Sequence, residues 1–190
     1  MAKGRQSDTG RRIQEVAREL FIRQGIQQTS LRQIADRLGI TKPALYYHFA
    51  SREALVQSII QPIIEEMEEF LAERERAAKI EPRRLLEDYF DISYRHRDVT
   101  VMLVNNLATL GHLDLQSRIT DWRWRLVTLL VGPDAPLTAR ARAISAIGGM
   151  SDCVVVFADL PADELRPIAV ATACAALGLP ETPPLPITGG

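Results

Sequence analysis

The sequence predicts an all-α protein, and two observations support this. Apolar residues recur every three or four positions along most of the chain, as Ile13, Ala17, Leu20 and Phe21 do, and this spacing places them on one face of an α-helix. No segment alternates apolar and polar residues in the manner of a half-buried strand. With 190 residues, of which 46% are hydrophobic and 25% charged, the chain is long enough for one or two small domains.

The first two helices have recognisable ends. The first is expected to begin near residues 7–9 and to end at Gly25, because glycine readily adopts the left-handed turn that closes a helix. Ser30 and Gln33 have the spacing of a capping box, in which each side chain bonds the backbone amide of the other residue. The sequence therefore predicts a short second helix that begins after Ser30 and ends at Gly39.

The third and fourth helices each follow a hydroxyl residue that can cap them. Thr41 caps the third, and Pro43 lies in its first turn, where a missing N–H is tolerated. Ser51 caps a long fourth helix that reaches about residue 78. Pro62 lies inside this helix, where its ring opposes the carbonyl of Ser58 and one backbone hydrogen bond is lost. We expect a kink there, either as a static bend or as a hinge.

The rest of the sequence keeps the helical pattern nearly to its end. Helices are expected over residues 85–93, 99–110, 119–130, 138–158 and 163–177, the last capped by Asp163. The second of these is apolar almost all round and should be buried. The tail, residues 180–190, contains four prolines and is expected to be disordered.

Charge is distributed unevenly, although 23 basic and 24 acidic residues leave a net charge of only −1. Residues 1–52 hold ten basic and four acidic residues, so that 13 basic and 20 acidic residues follow them. A positive head on a negative body is expected when one end of a protein meets phosphate. We therefore predict one domain at 1–52, a second at 53–179 and a tail at 180–190.

Cysteine usage and the missing targeting signals indicate the compartment. Cys153 and Cys174 lie far apart in apolar stretches, as buried thiols in a reducing environment do, and not as a disulfide framework. The first ten residues have no apolar core of a secretory signal. Uncharged runs such as residues 167–180 are too short to span a bilayer. A soluble, cytoplasmic protein without membrane contact is expected.

The most informative segment is residues 29–55, TSLRQIADRLGITKPALYYHFASREAL. It predicts two short helices joined by a turn that contains Gly39, with the first helix of the chain packed behind them. This is the plan of a helix-turn-helix, whose second helix enters the major groove of DNA. Lys42, Ala44 and Tyr46 lie off the inward face of that second helix and are free to meet a partner.

This segment closely resembles the DNA-binding signature of the TetR (tetracycline-repressor-like) family of bacterial transcription regulators. The resemblance rests on Thr29, Ile34, Ala35, Gly39, the run Ala44-Leu45-Tyr46-Tyr47-His48-Phe49 and the run Arg52-Glu53-Ala54-Leu55. Arg52 replaces the lysine usual in the family, and Ala50 lacks the glycine often seen there. The resemblance is specific over about the first 60 residues; beyond them only the length and the helical layout match.

The resemblance implies two groups of DNA-binding positions. Those that face base edges or the adjacent backbone are Arg32, Lys42, Pro43 and Ala44. Those that mostly hold phosphates are Thr41, Tyr46, Tyr47, His48 and Arg52, and Thr29 completes the expected set. As alternatives, Tyr46 is a packing residue and His48 a core histidine.

For the second domain the resemblance implies a ligand cavity and a dimer interface. Small residues concentrate in two helices, near 137–158 and 163–177, which resemble the paired interface helices of the family; an intramolecular core of the same composition is the alternative. A homodimer is favoured because a palindromic DNA site needs two reading heads. The candidate ligand-binding residues are Met67, Phe70, Tyr89, Phe90, Tyr94, Met102, Asn105, Asn106, Trp122 and Leu126.

The sequence offers no catalytic or metal site. His48, His96 and His112 are scattered, and no grouping of His, Cys and carboxylates has metal-ligand spacing. No cofactor is therefore expected, and the chain is not expected to be an enzyme. We predict a ligand-responsive DNA-binding regulator, a repressor that a small molecule releases from a pseudo-palindromic operator. The alternative is a helical dimeric protein that binds a small molecule or a partner and has a vestigial DNA head.

Overall fold

A computed structural model of the protein describes residues 2–106 and 115–180, and in this part of the chain all regular structure is helical. The helices are α1 (Ala2–Gln24), α2 (Leu31–Leu38), α3 (Lys42–His48), α4 (Arg52–Arg76), α5 (Pro82–Arg95), α6 (Arg97–Asn105), α7 (Leu115–Val131), α8 (Leu137–Val156) and α9 (Ala162–Leu177). The all-α prediction is confirmed. Among the described helices, none has both the length and the apolar character that a bilayer span requires. Of the tail predicted to be disordered, residues 180–190, all but Pro180 lie outside the described residues.

The ends of α2 agree with the prediction. Ser30 Oγ accepts a hydrogen bond from the Gln33 amide at 3.2 Å, and Gln33 Oε1 accepts one from the Ser30 amide at 2.8 Å. Gly39 closes the helix with a φ of 65°, where the lack of a Cβ removes the steric penalty. By contrast, α1 begins at Ala2 and not near residues 7–9.

The last two helices begin without a side-chain cap. α8 follows Pro136 and α9 follows Pro161, and neither proline offers a hydroxyl or carboxylate to the helix amides. Asp163, expected as the cap of α9, lies in its first turn. There its charge still favours the positive end of the helix dipole.

α4 runs from Arg52 to Arg76 without a break at Pro62. The Ser58 carbonyl, which would normally bond the amide of residue 62, accepts a hydrogen bond from Gln14 Nε2 at 3.2 Å. The same Nε2 lies 3.0 Å from Ser58 Oγ. A side chain of α1 thus takes the place of the amide that proline lacks.

One compact unit consists of residues 2–69, 96–106 and 115–119. Its core is built from apolar side chains of α1–α4, α6 and the start of α7, among them Ile13, Ala17, Phe21, Ile34, Leu45, Leu55, Ile60, Met102 and Leu115. The unit does not follow the boundary expected between residues 52 and 53. The reason is that the first half of α4 and all of α6 pack into the same core as the helix-turn-helix.

The second compact unit consists of residues 70–95 and 120–180. In it α5, α8 and α9 pack against one another around a core that includes Leu86, Phe90, Met150, Val154, Leu165 and Ala173. Arg166 donates to both carboxylate oxygens of Asp91 at 2.7 and 3.0 Å, which raises the pKa of Arg166. Cys174 is buried, and its burial raises the pKa of its thiol, as expected of a thiol that serves as a small apolar residue.

Candidate nucleic-acid interface

The helix-turn-helix leaves its second helix on the surface. α2 buries Leu31, Ile34 and Ala35, whereas α3 buries only Leu45. Because α3 is anchored through that one side chain, the others on its seven-residue length are available to a partner. This arrangement has the geometry of a recognition helix.

The surface of α3 carries a cation among aromatic rings. Thr41, Lys42, Pro43 and Ala44 are exposed, and Tyr46 and Tyr47 are exposed by 43% and 73%. Lys42 Nζ lies 5.6 Å from the centroid of the Tyr46 ring. The half-buried His48 meets the Tyr47 ring edge-on, with centroids 5.6 Å apart. Ammonium, imidazole and phenol groups on one surface suit phosphates and base edges.

Two further residues of the expected set have side chains that can serve DNA. Arg32 projects from α2 with most of its surface exposed, and its Nε is 3.7 Å from Asp36, too far for a hydrogen bond. Thr41 is the N-cap of α3, and its Oγ1 accepts from the Ala44 amide at 3.3 Å. The hydroxyl proton of Thr41 is not used in that bond.

Thr29 does not belong to the exposed surface. Its exposure is 0%, its hydroxyl donates to the Gly25 carbonyl at 2.8 Å, and its Oγ1 accepts from Gln24 Nε2 at 3.1 Å. The side chain ties the end of α1 to the start of α2. The enclosed side chain of Thr29 does not favour a direct contact with phosphate, and the DNA contact of Thr29 stays a prediction.

Arg52 also has a different place from the one expected. Its Nη1 donates to the carbonyl of Ile26 at 3.3 Å and to that of Gln27 at 3.1 Å, and its side chain is 35% exposed. The guanidinium therefore holds the connection between α1 and α2. Its charge still adds to the positive field of the head, but direct phosphate contact is not the role that this geometry favours.

A sequence model described as "Bacterial regulatory proteins, tetR family" matches residues 13–59, from the middle of α1 into α4. These are the residues that build the helix-turn-helix and its support. Over residues 13–59 the chain carries the DNA-binding domain of the TetR family.

Two curated relatives illustrate the range of TetR-family regulators that this chain is similar to. The HTH-type transcriptional repressor KstR2 of Rhodococcus jostii (strain RHA1) is 34% identical over 95 residues, 48% of this chain and 46% of the relative. The HTH-type transcriptional activator FasR of Mycolicibacterium smegmatis is 26% identical over 137 residues, 70% of this chain and 63% of the relative. The matches thus span less than two thirds of either relative. Both are regulators by name, which agrees with the expectation that the chain is not an enzyme.

A solved structure extends the similarity over both compact units. The transcriptional regulator (TerR/AcrR family) from Aquifex aeolicus VF5 superposes with a TM-score of 0.68 at 26% identity, covering 85% of this chain and 95% of that one. The helical layout beyond the helix-turn-helix is therefore that of a TetR-family regulator as well.

The candidate ligand-binding residues are divided between the two compact units. Met67, Met102 and Asn106 belong to the first unit, as does Asn105, whose side chain is not among those described. Phe70, Tyr89, Phe90, Tyr94, Trp122 and Leu126 belong to the second unit. The members whose side chains the structure describes are buried or half-buried.

Three aromatic candidates of α5 come together in the core of the second unit. The Tyr89 and Ser151 hydroxyls share a hydrogen bond of 2.8 Å, and the Tyr94 hydroxyl donates to the Leu160 carbonyl at 2.7 Å. Phe90 is fully buried and stacks on the Tyr94 ring. Since both hydroxyls already have protein partners, these residues join α5 to α8 and to the residues that follow it.

Asn106 has protein partners in place of the expected ligand. It is 8% exposed, its Oδ1 accepts from the Ile26 amide at 2.9 Å, and its Nδ2 donates to the Met102 carbonyl at 2.8 Å. The buried amide is thereby satisfied at both ends. These bonds give Asn106 a structural role, and its assignment to the ligand pocket stays a prediction.

Within the described residues, a groove of about 450 Å³ lies along α4 and the start of α7 in the first unit. It is lined by Gln57, Ile60, Gln61, Ile64, Glu65, Glu68, Leu115 and Arg118. None of the ten expected ligand-binding residues lines it. In the same described ranges, no group of three or more His, Cys, Asp and Glu side chains is arranged to hold a metal ion.

Proposed function

We propose that this TetR-family chain is a ligand-responsive transcriptional repressor that binds a pseudo-palindromic DNA operator as a homodimer in the cytoplasm. The observation that carries the proposal is the surface of α3, where Lys42, Tyr46 and Tyr47 are exposed and only Leu45 is buried. In a domain that no longer binds DNA, exposing the Lys42 ammonium and the rings of Tyr46 and Tyr47 to solvent would serve no function. The vestigial-head alternative is therefore disfavoured.

The exposed faces of α8 and α9 support the homodimer. These helices bury one face against each other and α5, while their outer faces carry small or apolar residues: Ala141, Ser145, Gly149 and Val156 on α8, and Ile168, Ala171, Thr172 and Ala175 on α9. A methyl group added at Gly148 or Gly149 would meet nothing within 4 Å. Since the small residues are not used inside the chain, we assign them to close approach by a second copy.

Repression is the simpler consequence of such a dimer. A dimer seated on an operator blocks transcription by occupying DNA, with no further contact to other proteins required. Of the relatives described above, one is named a repressor and the other an activator. A reporter gene placed downstream of the operator distinguishes repression from activation. Loss of the protein raises expression of the reporter if the protein is a repressor and lowers it if the protein is an activator.

DNA recognition is tested by selecting duplexes from a random-sequence pool with the purified protein. The expected product is a two-fold symmetric site that binds two chains, with half-sites roughly 34–36 Å apart or a multiple of that distance. Affinity should fall steeply with salt concentration, because cationic side chains release counterions from phosphates. A protein that binds all duplexes alike, or as a monomer on an asymmetric site, contradicts the proposal.

Ligand response is tested by linkage. A compound that binds the folded dimer raises its Tm, and an effector among such compounds must also weaken operator binding. By reciprocity the operator must weaken binding of that compound by the same factor. A compound whose affinity is equal with and without saturating operator is not an inducer.

A further inference from the structure

Several main-chain amides and carbonyls in the connection between α1 and α2, residues 25–30, form hydrogen bonds with residues close in sequence. The Gly25 amide donates to the Phe21 carbonyl at 3.0 Å, and the Gln28 carbonyl accepts from Gln24 Nε2 at 3.3 Å. The Thr29 amide donates to the Ile26 carbonyl at 3.3 Å. These bonds come from neighbouring positions in the sequence and shape the connection locally.

Ile26 is different, because both of its main-chain groups are bonded by side chains from distant helices. Its amide donates to Oδ1 of Asn106, the residue that ends α6, at 2.9 Å. Its carbonyl accepts from Nη1 of Arg52, the first residue of α4, at 3.3 Å, and the same nitrogen bonds the Gln27 carbonyl at 3.1 Å. We name Asn106 and Arg52 the clamp residues.

The Asn106 side chain is fixed in its orientation. Its Nδ2 donates to the Met102 carbonyl at 2.8 Å, so that a rotation of the amide would turn a donor toward the Ile26 N–H and break both bonds. Asn106 also packs closely against Gly25, the residue before Ile26. A Cβ at Gly25 would come 3.4 Å from Asn106 Oδ1, and Gly25 has a φ of 87°. Asn106 is 8% exposed, and a buried donor left without its acceptor is costly.

We infer that Asn106 is a positioning residue for DNA recognition, acting with Arg52 through the connection at residues 25–30. This inference rests on the proposed function. The connection leads directly into α2, so its conformation sets the orientation of α2 and α3 relative to α1. When the clamp is broken, the head populates other arrangements, and the observed affinity falls in proportion to the fraction that is competent to bind.

The test compares Asn106→Leu with Val104→Ala, an exposed position on the same helix. Leucine has a similar size but bonds neither the Ile26 amide nor the Met102 carbonyl. At a temperature where circular dichroism shows both variants folded, Asn106→Leu should weaken operator binding by about tenfold or more. The slope of log affinity against log salt should not change, because no cation that meets phosphate is removed. Val104→Ala should bind as the wild type does.

Arg52→Gln is the second variant, and it decides the question even where Asn106→Leu fails to fold. The clamp predicts weaker operator binding, an unchanged salt slope and faster hydrogen exchange at the amides of residues 26–29. A direct phosphate contact predicts a slope lower by about one unit and unchanged exchange. The second result, or folded Asn106→Leu with wild-type affinity, overturns the inference.

Failure of the proposed function gives a different pattern. If the wild-type protein binds no duplex specifically, the regulator proposal fails, whereas the protection of the Ile26 amide and its loss in Asn106→Leu are still measurable. Protection that is equal in the two proteins shows that the clamp does not hold the connection in solution, whatever the chain binds.

Discussion

Replacing Gln14 by leucine should lower the free energy of unfolding, because it leaves the Ser58 carbonyl without a donor. Pro62 cannot supply the amide that this carbonyl would bond in an uninterrupted helix. Gln14 Nε2 supplies the donor at 3.2 Å and also bonds Ser58 Oγ at 3.0 Å. An unsatisfied buried polar group costs about 1–3 kcal/mol. The site is half-buried, so we expect a loss of about 1 kcal/mol, near the lower limit.

A double-mutant cycle with Pro62→Ala identifies the cause. Alanine restores the amide at position 62, and the Ser58 carbonyl regains a helical donor. Gln14→Leu should then cost about 1 kcal/mol less than it does in the wild type. Unfolding in urea, followed by circular dichroism at one protein concentration, measures all four free energies, since the stability of a dimer depends on concentration.

The matched control is Gln61→Leu on the exposed side of α4, where the amide bonds Glu65 at 2.9 Å. Its effect should stay within about 0.5 kcal/mol. If Gln14→Leu and Pro62→Ala are additive within about 0.3 kcal/mol, Gln14 does not replace the amide that proline lacks, and our explanation of the unbroken α4 is refuted.

Four further outcomes are expected. Lys42→Ala should weaken operator binding and alter the preference between sites, while Lys79→Ala, an exposed lysine outside the head, should leave both unchanged in fluorescence anisotropy. Ala171→Glu should give monomers in sedimentation at micromolar concentration, because like charges would meet across a two-fold interface; a stable dimer would place the interface elsewhere. Cys174, whose thiol pKa is raised by burial, should react with iodoacetamide at pH 8 at least about tenfold more slowly in the folded protein than in urea. If Pro62 is a hinge, Pro62→Ala should reduce the factor by which the effector weakens operator binding, which is typically roughly 5–150-fold. An unchanged factor shows that Pro62 does not transmit the effect of the effector.

The sequence determined the parts of this protein that depend on near neighbours. The capping box of Ser30 and Gln33, the stop at Gly39 and the cap of α3 by Thr41 were all predictable, because helix ends involve residues within four positions of one another. The exposure of Lys42, Ala44 and Tyr46 on α3 followed from helical periodicity. The TetR resemblance was also local, since it lies within the residues that the family model matches.

Tertiary structure alone decided which polar groups meet. Asn106 was expected to bind a ligand, and the Ile26 amide from which it accepts a hydrogen bond lies 80 residues away. Arg52 was expected to hold a phosphate, and the carbonyls that it bonds lie 25 and 26 residues earlier. Periodicity assigns a side chain to a face of its own helix, whereas a hydrogen bond needs a donor and an acceptor brought within about 3 Å by packing, and that packing is set by contacts between segments distant in sequence.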